Sequence, residues 1–141
     1  NSILASQEAK SNGFDEALLM DINGHVAEAP GANVFYEKDG KLFTPSLGNI
    51  LPGITRATVL ELCIELNMPV EEKIIRKEEL YGADAAFFCG TAAEIIGLQS
   101  LDDKTFGLPW EKSLSKLIQD SYKSLVVENK QVLVNEIVGV E

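Results

Sequence analysis

The sequence predicts an α+β domain, and three observations carry that expectation. Short extended segments in the first half are joined by two-residue hairpin signals, Asn23-Gly24 and Asp39-Gly40. Ala85–Cys89 is an unbroken apolar run, the pattern of a strand covered on both faces. Two stretches with helical spacing, 57–66 and the run that follows Pro109-Trp110, punctuate the strands without alternating with them one for one.

Taken in order, residues 2–12 set Ile3, Leu4 and Ala5 on one side and Gln7, Glu8 and Lys10 on others. That is a short amphipathic helix, closed by Asn12-Gly13. Glu16–Asp21 has the length of a buried strand, and Val26–Glu28 resumes the extended pattern after Asn23-Gly24. Ala29-Pro30-Gly31-Ala32 interrupts it. Asn33–Tyr36 and Lys41–Thr44 then form the two arms of a hairpin around Asp39-Gly40. After a turn at Leu51–Arg56, where Thr55 is placed to cap, Ala57–Leu66 is the strongest helical pattern. Val70–Ile75 reads as a strand and Lys77–Leu80 as one helical turn. Ala85–Cys89 ends abruptly at Gly90-Thr91, and Ala93–Leu101, with Ile95, Ile96 and Leu98, reads as a further strand. Leu114, Leu117, Ile118, Tyr122 and Leu125 mark an amphipathic helix; residues 126–141 take no assignment.

The 141 residues amount to one domain, with 45% apolar and 24% charged side chains. Twelve basic residues against twenty-two acidic ones leave a net charge of −10, which argues against nucleic acid or an anionic membrane as partner. No apolar run has the length of a membrane span, and no signal peptide is visible. Cys63 and Cys89 each sit inside an apolar run and read as buried free thiols in a reducing compartment. The single histidine, His25, lies beside a turn, so an exposed position is expected and no metal centre. The chain opens Asn-Ser-Ile-Leu without an initiator methionine, as a piece of a longer polypeptide would.

Three loops combine small residues with one group of definite chemistry. In Leu51–Arg56, Pro52 and Gly53 stop the chain before a helix whose first N–H groups have no intrahelical partner. Such a start is either an ordinary loop-to-helix junction or an anion site, strongest for a phosphate. In 28–33, Glu28 is either a solvated turn acid or a fixed anion for a protonated ring nitrogen or another cation. In 90–94, Thr91 follows a buried strand and Gly90; it is a simple turn residue or a second set of N–H donors plus a hydroxyl.

AEAPGANVF (27–35), LPGITR (51–56) and FFCGTAAE (87–94), in this order and spacing, resemble the class IV (fold-type IV) pyridoxal-phosphate aminotransferases, and most of all the branched-chain amino acid type. GFDEALLMD (13–21) and DGKLFTP (39–45) fit the same pattern, so the likeness spans residues 2–125. It implies the large C-terminal cofactor domain, residues 1–125, of the D-amino acid aminotransferase-like fold, a mixed pseudo-barrel. It also implies pyridoxal 5′-phosphate as cofactor and transfer of the amino group of leucine, isoleucine or valine to 2-oxoglutarate. Under that resemblance Glu28 pairs with the pyridine nitrogen and Leu51 packs on the ring. The N–H groups of Ile54 and Thr55, with the Thr55 hydroxyl, hold the phosphate. Thr91 and Ala92 present N–H groups to the substrate carboxylate, the Thr91 hydroxyl lying near the phosphate. The Schiff-base lysine of the family falls upstream of Asn1, which leaves no catalytic residue in this chain, and Lys10 reads as solvent-facing. The phosphate-assisting arginine and the aromatic residues of the side-chain pocket are expected upstream too. The family further implies a cytoplasmic homodimer acting on small amino and 2-oxo acids. A D-amino acid aminotransferase, an aminodeoxychorismate lyase, or a non-catalytic cofactor-binding fragment stand as alternatives; GANVF and GTAAE favour the branched-chain type. The tryptophan-containing ending common in the family is missing, which leaves 126–141 without a counterpart.

Overall fold

A computed structural model describes residues 2–50 and 52–140, with side chains described for 3–48, 50 and 52–127. Its elements are α1 (Ser2–Ser11), β1 (Asn33–Lys38), β2 (Lys41–Pro45), α2 (Ile54–Glu65), β3 (Val70–Lys73), α3 (Lys77–Tyr81), β4 (Ala85–Gly90), β5 (Glu94–Gly97), β6 (Ser100–Leu101), β7 (Lys104–Thr105) and α4 (Leu114–Val140). Five strands form one sheet in the order β3-β2-β1-β4-β5, and β6 pairs with β7 separately. All neighbours in the large sheet are antiparallel except β2 and β3, which are parallel. The domain is α+β, as the pattern predicts.

The long apolar run of β4 is explained by what covers it. Phe35, Leu42, Phe87, Cys89 and Ile95 meet Val59, Leu62 and Cys63 of α2 and Ile118 of α4 in one cluster. Val34, Tyr36 and Ala86 pack into a second cluster with Val26, Ile75, Leu80 and Ala83. Neighbouring residues of one strand thus belong to different clusters, which removes the polar alternation a one-sided strand would show. Phe35 and Phe87 stack across β1 and β4 with centroids 5.0 Å apart and planes 3° off parallel.

Several expectations hold at the level of single bonds. Asn12-Gly13 closes α1: the Gly13 N–H reaches the Lys10 carbonyl and the Phe14 N–H the Ala9 carbonyl, the paired bonds of a glycine-terminated helix. Asp39-Gly40 turns the β1–β2 hairpin, with Lys38 opposite Lys41. Both cysteines are free and buried.

Others are corrected. Glu16–Asp21 is not a strand; it meets its return segment through the isolated bridge Met20–Val26 and the flanking bonds of Leu19 to Ala27 and Glu28, and Asp21 then turns the chain. Its Oδ1 accepts the N–H groups of Asn23 and His25, at 2.9 and 3.0 Å. Ala93–Leu101 is not one strand, since β5 ends at Gly97 and the Leu98 N–H bonds back to the Ala86 carbonyl before β6 begins. The amphipathic reading of α1 fails in this chain: Ile3 and Leu4 are both exposed. Thr55 does not cap α2; the helix starts one residue earlier and Gly53 holds the cap position, with extended backbone. His25 is half-buried rather than exposed, bridged to Arg76 and 3.6 Å from Asp21. Residues 126–140, unassigned by pattern, continue the helix of α4.

Candidate functional site

The three loops singled out in the sequence meet at one end of the sheet. Pro30-Gly31 forms the centre of a tight turn, with reciprocal bonds between Ala29 and Ala32 at 2.9 and 3.1 Å. Gly31 takes φ +77°, the left-handed value that the third position of a type II turn requires. Glu28 stands just before this turn, half-buried, its carbonyl accepting the Leu19 N–H at 2.8 Å.

Two glycines let the other loops close on that turn. A Cβ built on Gly90 would lie 2.6 Å from the Gly31 carbonyl oxygen, so the end of β4 fits against the turn only without a side chain. A Cβ on Gly53 would lie 2.3 Å from Asn33 Oδ1, so the start of α2 is pressed against the first residue of β1. Asn33 in turn pairs with Cys89, one residue before Gly90. The segments bearing Glu28, Ile54-Thr55 and Thr91-Ala92 are therefore neighbours, joined through Gly31, Asn33, Gly53 and Gly90.

Each segment presents its groups differently. Ile54 is 83% exposed and Thr55 4% exposed, so the helix start has one open and one covered residue. Among the described residues no side chain caps α2, and its first turn carries no acid. The N–H ends of a twelve-residue helix are thus left with a positive partial charge of about +0.5 that nothing acidic in that turn offsets. Thr91 and Ala92 are exposed in the turn between β4 and β5, and Glu94 takes φ +55° as the chain re-enters the sheet. Backbone donors on small residues, a helix start and a nearby carboxylate form a donor set that fits a phosphate-bearing ring. Leu51 lies outside the described residues. Lys10 is exposed at the last turn of α1, in keeping with a solvent-facing role.

Two site-end residues were not assigned from sequence, Asn33 and Arg56. Arg56 is 4% exposed; its Nη2 donates to the Pro45 carbonyl at 3.1 Å and to the Glu72 carboxylate. Only the LPGITR run hinted at it. The thiols are chemically quiet: burial pushes Cys63 up to about 11 and Cys89 up to about 12, the latter against the pull of Arg56. Among the described residues no helix is long and apolar enough to cross a membrane, and no group of three or more His, Cys, Asp or Glu could hold a metal.

Comparison with known proteins converges on one family. Residues 1–101 match the model of amino-transferase class IV. The branched-chain-amino-acid aminotransferase of Pseudomonas aeruginosa is 44% identical over 126 residues, 89% of this chain and 41% of that protein. The Escherichia coli enzyme of the same name is 40% identical over 126 residues, with the same coverage of 89% and 41%. Among solved structures, the branched-chain amino acid aminotransferase of Thermobaculum terrenum in its PLP form superposes with a TM-score of 0.86 at 42% identity, covering 89% of this chain and 41% of that one. That of Thermoproteus uzoniensis with norvaline gives 0.85 at 41% identity, covering 90% and 42%. The chain spans about two fifths of the length of the curated relatives it matches.

Proposed function

Because the chain belongs to the amino-transferase class IV family, we propose that it is the cofactor-binding part of a pyridoxal-phosphate-dependent transaminase acting on leucine, isoleucine or valine with 2-oxoglutarate. The observation that carries this reading is the convergence of three loops on an uncapped helix start, through the close approaches of Gly53 to Asn33 and Gly90 to Gly31.

In this reading the N–H groups of Ile54 and Thr55, with the Thr55 hydroxyl, hold the phosphate, since an uncapped helix start favours an anion. The Glu28 carboxylate keeps a proton on the pyridine nitrogen, and Leu51 packs on the ring. Thr91 and Ala92 orient the substrate carboxylate through backbone N–H groups. Pyridoxal phosphate, when bound, supplies an electron sink for the pair left when the substrate Cα–H bond breaks. We read the protein as a cytoplasmic homodimer; two buried free thiols suit a reducing compartment, and light scattering tests the dimer.

The test is spectral and kinetic, on the intact protein that carries this chain. Adding pyridoxal phosphate should change its absorbance, and leucine, isoleucine or valine should yield glutamate from 2-oxoglutarate. No binding and no transfer would end the reading; transfer from D-alanine instead would redirect it to the D-amino acid branch. Glu28→Gln should leave phosphate anchoring intact while slowing transfer on the order of a hundredfold, because a proton is no longer held on the ring nitrogen. Near-normal turnover in that variant would remove Glu28 from its role.

A further inference from the structure

One charged side chain at the site end has no role in the reading above. Arg56 sits in the first turn of α2, one residue after Thr55, and is 4% exposed. A guanidinium stays charged at any working pH and brings five N–H donors. Its Nη2 serves two acceptors, the Pro45 carbonyl and Glu72, while its buried Nε finds no partner among the described residues. The balancing carboxylate is a poor match for a buried cation: the Glu72 side chain is 46% exposed, so water screens much of its field. A buried charge so incompletely answered is costly unless a further anion meets it.

Two relations set the Arg56 stem beside the start of α2 and its charge near the end of β4. A Cβ built on Gly53 would lie 3.6 Å from the Arg56 Cβ, so the arginine stem runs beside the cap residue of α2. Cys89, which leads into Gly90-Thr91, also feels the guanidinium. Arg56 thus stands within electrostatic reach of both the helix start and the end of β4.

We propose that Arg56 is a positioning residue for the anion held at the start of α2, a buried positive charge that a bound phosphate completes where Glu72 does not. The proposal rests on the phosphate reading of Ile54 and Thr55. It makes Glu72 and the phosphate competitors for one cation, which a merely structural strut would not do.

The experiment measures binding of inorganic phosphate and of pyridoxal phosphate to the intact protein and three variants. Glu72→Gln should tighten phosphate by about threefold, since the guanidinium loses its other counter-charge. Arg56→Met should weaken it by about tenfold, and Arg56→Lys should recover part of that loss. Unchanged or weaker phosphate binding by Glu72→Gln, with the unsubstituted protein binding normally, overturns the proposal alone and leaves the site reading standing. No phosphate binding by the unsubstituted protein overturns both. If Arg56→Met fails to fold, Glu72→Gln still decides, because its carboxylate lies at the surface.

Discussion

The starts of α2, α3 and α4 pose one physical problem and receive two answers. Each exposes N–H groups that the helix itself cannot satisfy. At α4, Ser113 Oγ accepts the Lys116 N–H at 3.0 Å, and Glu37 reaches from β1 to accept the N–H and the hydroxyl of Ser115, at 3.0 and 2.9 Å. At α3, the Glu79 carboxylate accepts the Arg76 N–H at 2.8 Å and also takes the Lys73 ammonium. At α2, among the described residues, no side chain caps and no acid stands in the first turn. α4 is answered by Ser113 and Glu37, and α3 by a Glu79 carboxylate that takes the N–H of its cap residue. The one left incomplete lies where glycines draw three loops together. That open start is where the proposed phosphate would sit, since leaving N–H groups unanswered costs stability unless something else occupies them.

That contrast can be broken at either side. Glu37→Ala should cost about 3 kcal/mol in urea unfolding, because two buried donors at Ser115 lose a charged acceptor. Phosphate binding should be untouched, and an equally stable variant would deny Glu37 its closing role. Gly90→Ala should cost about 2 kcal/mol, as its Cβ meets backbone at Gly31 that cannot swing aside. It should also weaken phosphate by separating the loops; normal binding would show that their approach is incidental.

Smaller changes sharpen the same comparison. Ser113→Ala should lower stability by about 1 kcal/mol and spare binding, whereas Thr55→Ala should lower phosphate affinity by about 1 kcal/mol with its larger effect on binding. Equal effects of both on both measurements would erase the distinction between the helices. The slightest effect concerns α3. The Arg76 N–H, and then Lys73, hold the Glu79 carboxyl below its ordinary 4.5. A depressed value in the folded state means a contribution present above that ordinary value and lost as pH falls through the lowered one. Glu79→Gln should therefore lower stability slightly near neutral pH and flatten the acid limb of a stability profile, the two proteins meeting at low pH where Glu79 is protonated.

What the sequence showed depended on whether the cause was local. The Asp39-Gly40 hairpin, the glycine closing α1 and the doubly covered run of β4 were all legible, since each is fixed by residues within a few positions. So was the loop-to-helix junction at α2, although not its first residue: Gly53, with no side chain to accept a bond, still serves as the cap position because its backbone is extended. Glu16–Asp21 misled because a short apolar run fits several roles, and the Asp21 turn chemistry decided against a strand. The Glu37–Ser115 closure spans 78 positions, and the burial of Arg56 depends on Pro45 and Glu72, so no window of sequence held either. The meeting of the three loops came from family resemblance alone; the close approaches at Gly53 and Gly90 supply its physical form.

The pairing of Asn33 with Cys89 carries a consequence in time. It joins β1 to a strand that follows α2, β3 and α3, so it forms only after a large stretch of chain has been looped into place. Until that register closes, the turn at Gly31 has no Gly90 to rest on, and an early intermediate has nothing for an anion to hold. An anion that recognises only the finished arrangement slows its departure without hastening its arrival. In the proposed reading, the residence of a bound anion would follow the lifetime of that register.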